Sequence, residues 1–257
     1  MRTLVSRILM AVALPAALFM LWWYASAGSD NFYLPPLQRI LEAFGETWTW
    51  PRLRSDVLPS LARLAVGYTG AVLLGIGMGV VIGLFPKARA TAEPVLEFFR
   101  AIPPPVLVPV IMLFAGIGDG MKVVVIISGC VWPVLLNTVE GVRAVDEVLD
   151  STCQVYRVTG FARLRHLILR SASPQIVTGM RQGLSIAIIL MVISEMFAAS
   201  EGLGFTIVQF QRSFAIPEMW SGILLLGLLG VALSLLFQLA ERRVLAWYRG
   251  LRHSQRS

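Results

Sequence analysis

Long apolar runs alternate with short polar segments along this chain of 257 residues. The first run, Ile8 to about Ala27, follows Arg2 and Arg7 and is long enough to cross a bilayer. The segment from Asn31 to Pro51 carries Leu37, Ile40, Leu41 and Phe44 at helical spacing, which predicts an interfacial amphipathic helix with Trp48 and Trp50 near the headgroups. Further spans are expected over Leu58–Phe85, about Glu93–Phe114, Met121–Thr138, Pro174–Ala199 and Glu218–Trp247. The glycines of the second span, Gly67 to Gly83, predict close packing against a neighbouring helix. Pro103, Pro104 and Pro105 follow Ile102 inside the third span, so that span is expected to kink or break.

The second half has one long polar interruption, Val145 to Pro174. Val145, Val148, Leu149, Thr152 and Tyr156 recur at helical spacing, with Asp146 placed to cap the helix N-terminus. Gly160 marks a break. Phe161, Leu164 and Ile168 then form a second apolar stripe among Arg163, Arg165, His166 and Arg170. Ser173-Pro174 reads as the N-cap and first-turn proline of the next helix. The pattern predicts a basic, amphipathic helical hairpin between two spans, suited to a protein groove or to anionic lipid.

Composition changes the picture in one respect. Only 14% of residues are charged and the mean hydropathy is +0.73, which a soluble domain does not sustain; the chain reads as an all-α integral membrane protein with about six transmembrane helices. The net charge of +7 invites a nucleic-acid reading. That reading is rejected because the basic residues sit between apolar runs, where they set topology. Arg2, Arg7, Lys87, Arg89, the hairpin, Arg242, Arg243 and the tail outnumber Arg39, Arg52, Arg54, Lys122 and Arg212 on the other side. Both termini and the hairpin are therefore expected in the cytoplasm. Ala25-Ser26-Ala27 leaves open a cleaved signal peptide in place of a first span.

No catalytic set, metal-ligand spacing or phosphate-cradling glycine loop is present in the spans, so no catalytic residue, metal or cofactor is assigned. Cys130 and Cys153 are isolated. The intramembrane charges are Arg63, Arg100, Arg181 and Glu195, and each needs a pairing or a pathway role. Arg100, Pro103, Pro104, Pro105 and Glu195 are the candidate translocation-path residues. Snorkelling or structural ion pairs are the alternative, above all for Arg63 and Arg181.

Several phrases, in this order, carry a family resemblance: Phe32-Tyr33-Leu34-Pro35, Ser60-Leu61-Ala62-Arg63, Phe99-Arg100-Ala101-Ile102-Pro103, Gly116-Ile117-Gly118, Asn137-Thr138 with Gly141-Val142-Arg143, and Ser194-Glu195-Met196-Phe197 with Gly202-Leu203-Gly204. From about Leu14 to Trp247 the chain resembles permease subunits of bacterial ABC importers of the nitrate/sulfonate/taurine type. The resemblance implies the type I ABC importer permease fold in the bacterial inner membrane. It also implies ATP-binding cassette ATPase subunits, an extracytoplasmic solute-binding protein and a second permease copy as partners, besides membrane lipid. The implied organisation is a first span plus outer helix over 1–56, a transmembrane domain over 57–247 with a coupling hairpin at 145–173, and a basic tail over 248–257.

The family's coupling signature is Glu-Ala-Ala with a glycine six residues after the Glu, then Leu-Pro. Without gaps it falls on Ser151-Thr152-Cys153, with Arg157 at the glycine and Leu169-Arg170 at Leu-Pro. The resemblance makes Val148, Leu149, Ser151, Thr152, Cys153, Tyr156, Arg157, Gly160, Phe161 and Leu164 the ATPase-coupling residues. The replaced glutamate, glycine and proline keep open a second role, a non-transporting assembly or anchoring subunit.

Overall fold

The computed structural model describes residues 2–29, 31–197 and 199–248, with side chains from residue 13 onward. Residues 249–257, nearly all of the basic tail expected from the sequence, lie outside the described residues. Every long apolar run is helical. The helices are α1 (Arg2–Ser26), α2 (Leu37–Thr47), α3 (Trp50–Leu84), α4 (Pro86–Ala101), α5 (Pro104–Ala115), α6 (Asp119–Arg143), α7 (Glu147–Val155), α8 (Gly160–Phe197), α9 (Leu203–Arg212) and α10 (Ile216–Val244). Among the described residues, α3, α6, α8 and α10 are each long and apolar enough to cross a membrane. The α4–α5 pair makes a fifth span if its two halves are counted together. Helix α1 contributes a shorter apolar helix, Ala13–Ser26.

Three helices form the centre. Small residues recur every fourth position on α3, at Gly67, Ala71, Gly75, Gly79 and Gly83, and they line the contact with α6. A Cβ added at Gly67, Gly75, Gly79 or Gly83 would fall 2.8, 2.8, 2.6 and 2.8 Å from Ile126, Val134, Thr138 and Val142 respectively. Both series rise together, so α3 and α6 run parallel. Lipid tails supply no hydrophobic drive for helix association, and close backbone approach is what lets dispersion hold such a pair together. Helix α8 returns antiparallel: Gly179 packs on Pro133 and Asn137, while Gly141 of α6 meets Ala172 and Gln175. Tyr68 Oη of α3 donates to the Met180 carbonyl of α8 at 2.8 Å.

The third span is broken where the prolines predict. Helices α4 and α5 are bent by 78°. Ile102 and Pro103 are extended there, because three consecutive imides offer no N–H to continue the ladder. Pro104 packs against Gly129 of α6.

Two expectations are corrected. The second helix of the hairpin is not separate from the following span, and Ser173-Pro174 does not start a helix. Helix α8 runs unbroken from Gly160 to Phe197, with one π turn at Leu164–Ile168. Pro174 removes the N–H that would serve the Arg170 carbonyl, and the Ser173 hydroxyl donates to that carbonyl instead, at 2.9 Å. A seryl-prolyl pair that reads locally as a start signal is thus accommodated inside a helix. Secondly, Trp48 is buried rather than interfacial: its Nε1–H donates to Ser221 Oγ at 3.0 Å and ties the end of α2 to α10. Trp50 remains exposed. The apolar face of α2 (Leu37, Ile40, Ala43) is buried.

Candidate functional site: a loop surface and a charge cluster at the two ends of the bundle

Helix α7 begins as the sequence predicts. Asp146 Oδ1 accepts from the backbone N–H groups of Val148 and Leu149, at 2.8 and 3.0 Å. The helix ends in a left-handed turn. Arg157 has φ +53°, its N–H donates to the Gln154 carbonyl, and the Val158 N–H donates to the Cys153 carbonyl at 2.8 Å. Gly160, at φ +58°, then opens α8. Arg163 of α8 holds Asp150 of α7 with Nε and an NH2 group, at 2.8 and 2.7 Å, which fixes the two helices to each other. A cleft of about 450 Å³ lies between this loop and the ends of α3 and α6.

The frame presents apolar side chains to solvent. Val148, Leu149, Val155, Tyr156 and Phe161 are all exposed, and Leu164 is half-buried against the ends of α3 and α6. Ser151 and Thr152 are exposed and Cys153 is half-buried. The expected coupling residues thus lie on one loop whose apolar side chains are mostly exposed.

Arg157 gives the signature position a physical meaning. The residue aligned with the family's glycine is the loop's non-glycine residue at positive φ, where an L side chain costs about 1 kcal/mol. Arg157→Gly is therefore expected to stabilise the loop by about 1 kcal/mol without altering its path. Slower amide exchange over residues 153–158 is the checking measurement; unchanged or faster exchange would remove the strain argument.

At the opposite end, where the sequence places the outer face, four phrases of the resemblance converge. Arg63 of α3 is only 4% exposed and holds three carboxylates. Its Nε reaches Asp119 Oδ1 at 2.7 Å, and its two NH groups reach Glu195 Oε1 at 2.9 Å and Glu201 Oε1 at 2.8 Å. Glu195, near the end of α8, is fully buried. Its carboxylate also accepts from Ser60 Oγ, at 2.7 and 2.8 Å, and from the Gly204 N–H at 3.0 Å. The Leu203 N–H donates to Ser60 Oγ. Gly202 has φ +115°, and a Cβ there would sit 2.5 Å from the Glu195 carboxyl carbon, so both backbone and space demand glycine. Lys122 completes the cluster with a hydrogen bond to Asp119 Oδ1 at 3.2 Å.

Sequence reasoning placed Glu195 with Arg100 and the prolines. In the structure the two lie apart in their pairing: Glu195 belongs to Arg63, while Arg100 is exposed and pairs with Glu97 at 2.6 Å. Arg181 pairs with Glu241 of α10. Ser60, Asp119, Lys122 and Glu201 were not assigned. A usable signal was the matched depth of Arg63 and Glu195: one lies two turns into a span that enters from the outer side, the other two residues before the outer end of a span that leaves there.

The chain belongs to the family of binding-protein-dependent transport system inner membrane components, whose model matches residues 71–249. It is thus a permease-type subunit of an ABC importer system, a family whose members work with separate ATPase and binding-protein subunits. It is 28% identical to the taurine transport system permease protein TauC of Escherichia coli (strain K12), over 94% of this chain and 90% of that protein. It is 26% identical to the putative aliphatic sulfonates transport permease protein SsuC of Bacillus subtilis (strain 168), over 91% of this chain and 86% of that protein. The fold matches a solved structure of the MetNI methionine ABC transporter in inward-facing conformations. The TM-score is 0.62 at 22% identity, over 77% of this chain and 96% of that one. The architecture is that of the type I importer permeases.

Proposed function

We propose that this chain forms half of the translocation path of an ATP-driven importer for a small solute bearing an anionic group, of the sulfonate, taurine or nitrate kind. The observation that carries the coupling half of this reading is the exposed apolar surface of α7 and the start of α8 on a capped, ion-paired frame. In this reading Val148, Leu149, Tyr156, Phe161 and Leu164 enter a groove on a cytoplasmic ATPase. Ser151, Thr152, Cys153, Arg157 and Gly160 shape the loop that presents them. Both termini and this loop are cytoplasmic, an extracytoplasmic binding protein delivers the solute, and a second permease copy, identical or related, completes the path.

Arg100 and the Pro103–Pro105 break line the route. Arg100 is exposed within a broken span, and irregular backbone at membrane depth is tolerated where it lines a cavity. Glu195 acts on the route indirectly, by clamping the outer ends of α3 and α8 through Arg63. The substrates for which these relatives are named, taurine and aliphatic sulfonates, support an anionic group on the solute.

The test is ATP-dependent uptake of a labelled sulfonate into vesicles carrying the permease with its ATPase and binding protein. Arg100→Ala is expected to reduce uptake at least tenfold while the ATPase stays bound, since loss of one charge-assisted contact is worth about 1.5–3 kcal/mol. Normal uptake by Arg100→Ala would remove that residue from the route. The replaced signature positions Ser151, Arg157 and Arg170 favour one other reading, an assembly subunit that does not itself transport. ATPase binding without any solute uptake would select it.

A further inference from the structure

The outer charge cluster opens into a cavity of about 690 Å³, walled by Arg63, Asp119, Lys122 and Glu201 together with Met112 and Phe197. That size suits a small organic ion. The charges in its wall are unevenly satisfied. Arg63 is saturated by three carboxylates. Lys122 is not: only 5% of its side chain is exposed, and among the described residues its ammonium makes one hydrogen bond, a long one of 3.2 Å. That bond goes to Asp119 Oδ1, which Arg63 Nε already occupies at 2.7 Å. An ammonium group has three donors, and a buried cation is costly unless it is fully paired.

The carboxylates are half-committed in turn. Asp119 and Glu201 hold Arg63 through one oxygen each, and their side chains are 66% and 50% exposed. The wall thus carries two cations and two carboxylates. A simple anion at Lys122 meets Asp119 beside it, and a simple cation at the carboxylates meets Lys122. A solute carrying both charges satisfies both sides, and Met112 and Phe197 can cover its short carbon chain.

We propose that this cavity is a solute subsite for small zwitterions, with the anionic head on Lys122 and the ammonium group against Asp119 and Glu201. The inference rests on the transport reading above and narrows its solute to amine-bearing sulfonates or carboxylates.

The assembled transporter in lipid nanodiscs, without its binding protein, provides the test. Saturation-transfer NMR would compare 2-aminoethanesulfonate with its half-ligands ethanesulfonate and ethylammonium. The zwitterion is expected to bind at least about tenfold tighter than either half. Lys122→Met should lose about tenfold or more, Lys122→Arg should stay within about threefold, and Glu201→Gln should narrow the preference over ethanesulfonate. Equal binding of the three probes, no binding to the wild type, or wild-type affinity in a folded Lys122→Met variant would overturn the subsite. If Lys122→Met does not fold, Glu201→Gln and the probe series decide. ATP-driven uptake with no preference for the zwitterion would overturn the subsite and leave the transport reading standing. Zwitterion binding with no uptake of any solute would do the reverse.

Discussion

Replacing Arg63 with methionine is expected to destabilise the chain by about 3–5 kcal/mol, the usual cost of removing one partner from a buried ion pair. The cost arises from what is left behind. Glu195 is fully buried, and without Arg63 its charge keeps only the Ser60 hydroxyl and the Gly204 N–H. Asp119 and Glu201 lose their common cation as well. Glu195→Gln should cost less, because Arg63 retains two carboxylates and the amide can still accept from Gly204 and Ser60. The double variant Arg63→Met/Glu195→Gln should recover part of the loss, since it leaves no uncompensated charge on the α3–α8 contact. Thermal unfolding in detergent reads all three, with a drop on the order of 10 °C for Arg63→Met. Equal melting of Arg63→Met and the wild type would show that the cluster does not hold the outer end together.

The second large effect is expected at the other end. Leu149→Ala with Phe161→Ala should release the ATPase, weakening binding by roughly 700-fold if the two contributions add. Exposed aromatic and aliphatic anchors that fill a partner's groove contribute about 2 kcal/mol or more each. Both side chains are exposed in the isolated subunit, so the melting temperature should not change. Stability and docking are thereby separated, which a core substitution cannot do. Arg163 is unsuitable as a control because it holds Asp150. Arg165→Glu is the better one: it reverses a charge on an exposed position of α8 and leaves the apolar patch intact. Loss of membrane contact in Arg165→Glu with no change in ATPase binding by Leu149→Ala/Phe161→Ala would favour lipid as the occupant of this face.

Much of the fold was legible because a bilayer restricts the choices. Runs as long as Leu58–Phe85 have one solution in lipid, and the glycine ridge on α3 announces its own close contact. The break at Pro103–Pro105 and the Asp146 cap follow from missing and added hydrogen-bonding groups, which are local facts. Continuity of α8 through Ser173-Pro174 was not legible, because the same two residues either start a helix or repair one. Only the packing of α8 along α6 decides between them. Trp48 was misread for a related reason: an indole suits the headgroup layer and a buried hydroxyl equally, and Ser221, its partner, is 173 residues away.

The site was legible in part. Exposed Val148, Leu149 and Tyr156 show in the periodicity because α7 is short and its polar positions mark the remaining face, and Phe161 shows as the start of the next apolar stripe after Gly160. Arg157 acquired its meaning only with a backbone angle in hand. The Arg63 cluster draws on α3, α6, α8 and the loop before α9, and no window along the chain contains it. Ser60, Arg63, Glu195 and Gly204 were nevertheless present in the phrases that carry the resemblance, whereas Asp119, Lys122 and Glu201 lie outside them.

The claim on which the rest depends is that the loop from Asp146 to Leu164 transmits ATPase work to this permease. The direct measurement is stimulation of ATP hydrolysis by the solute-loaded binding protein, in vesicles carrying the wild type or Leu149→Ala/Phe161→Ala. The wild type should be stimulated and the variant should not, although it folds and inserts normally. Equal stimulation of both would contradict the account.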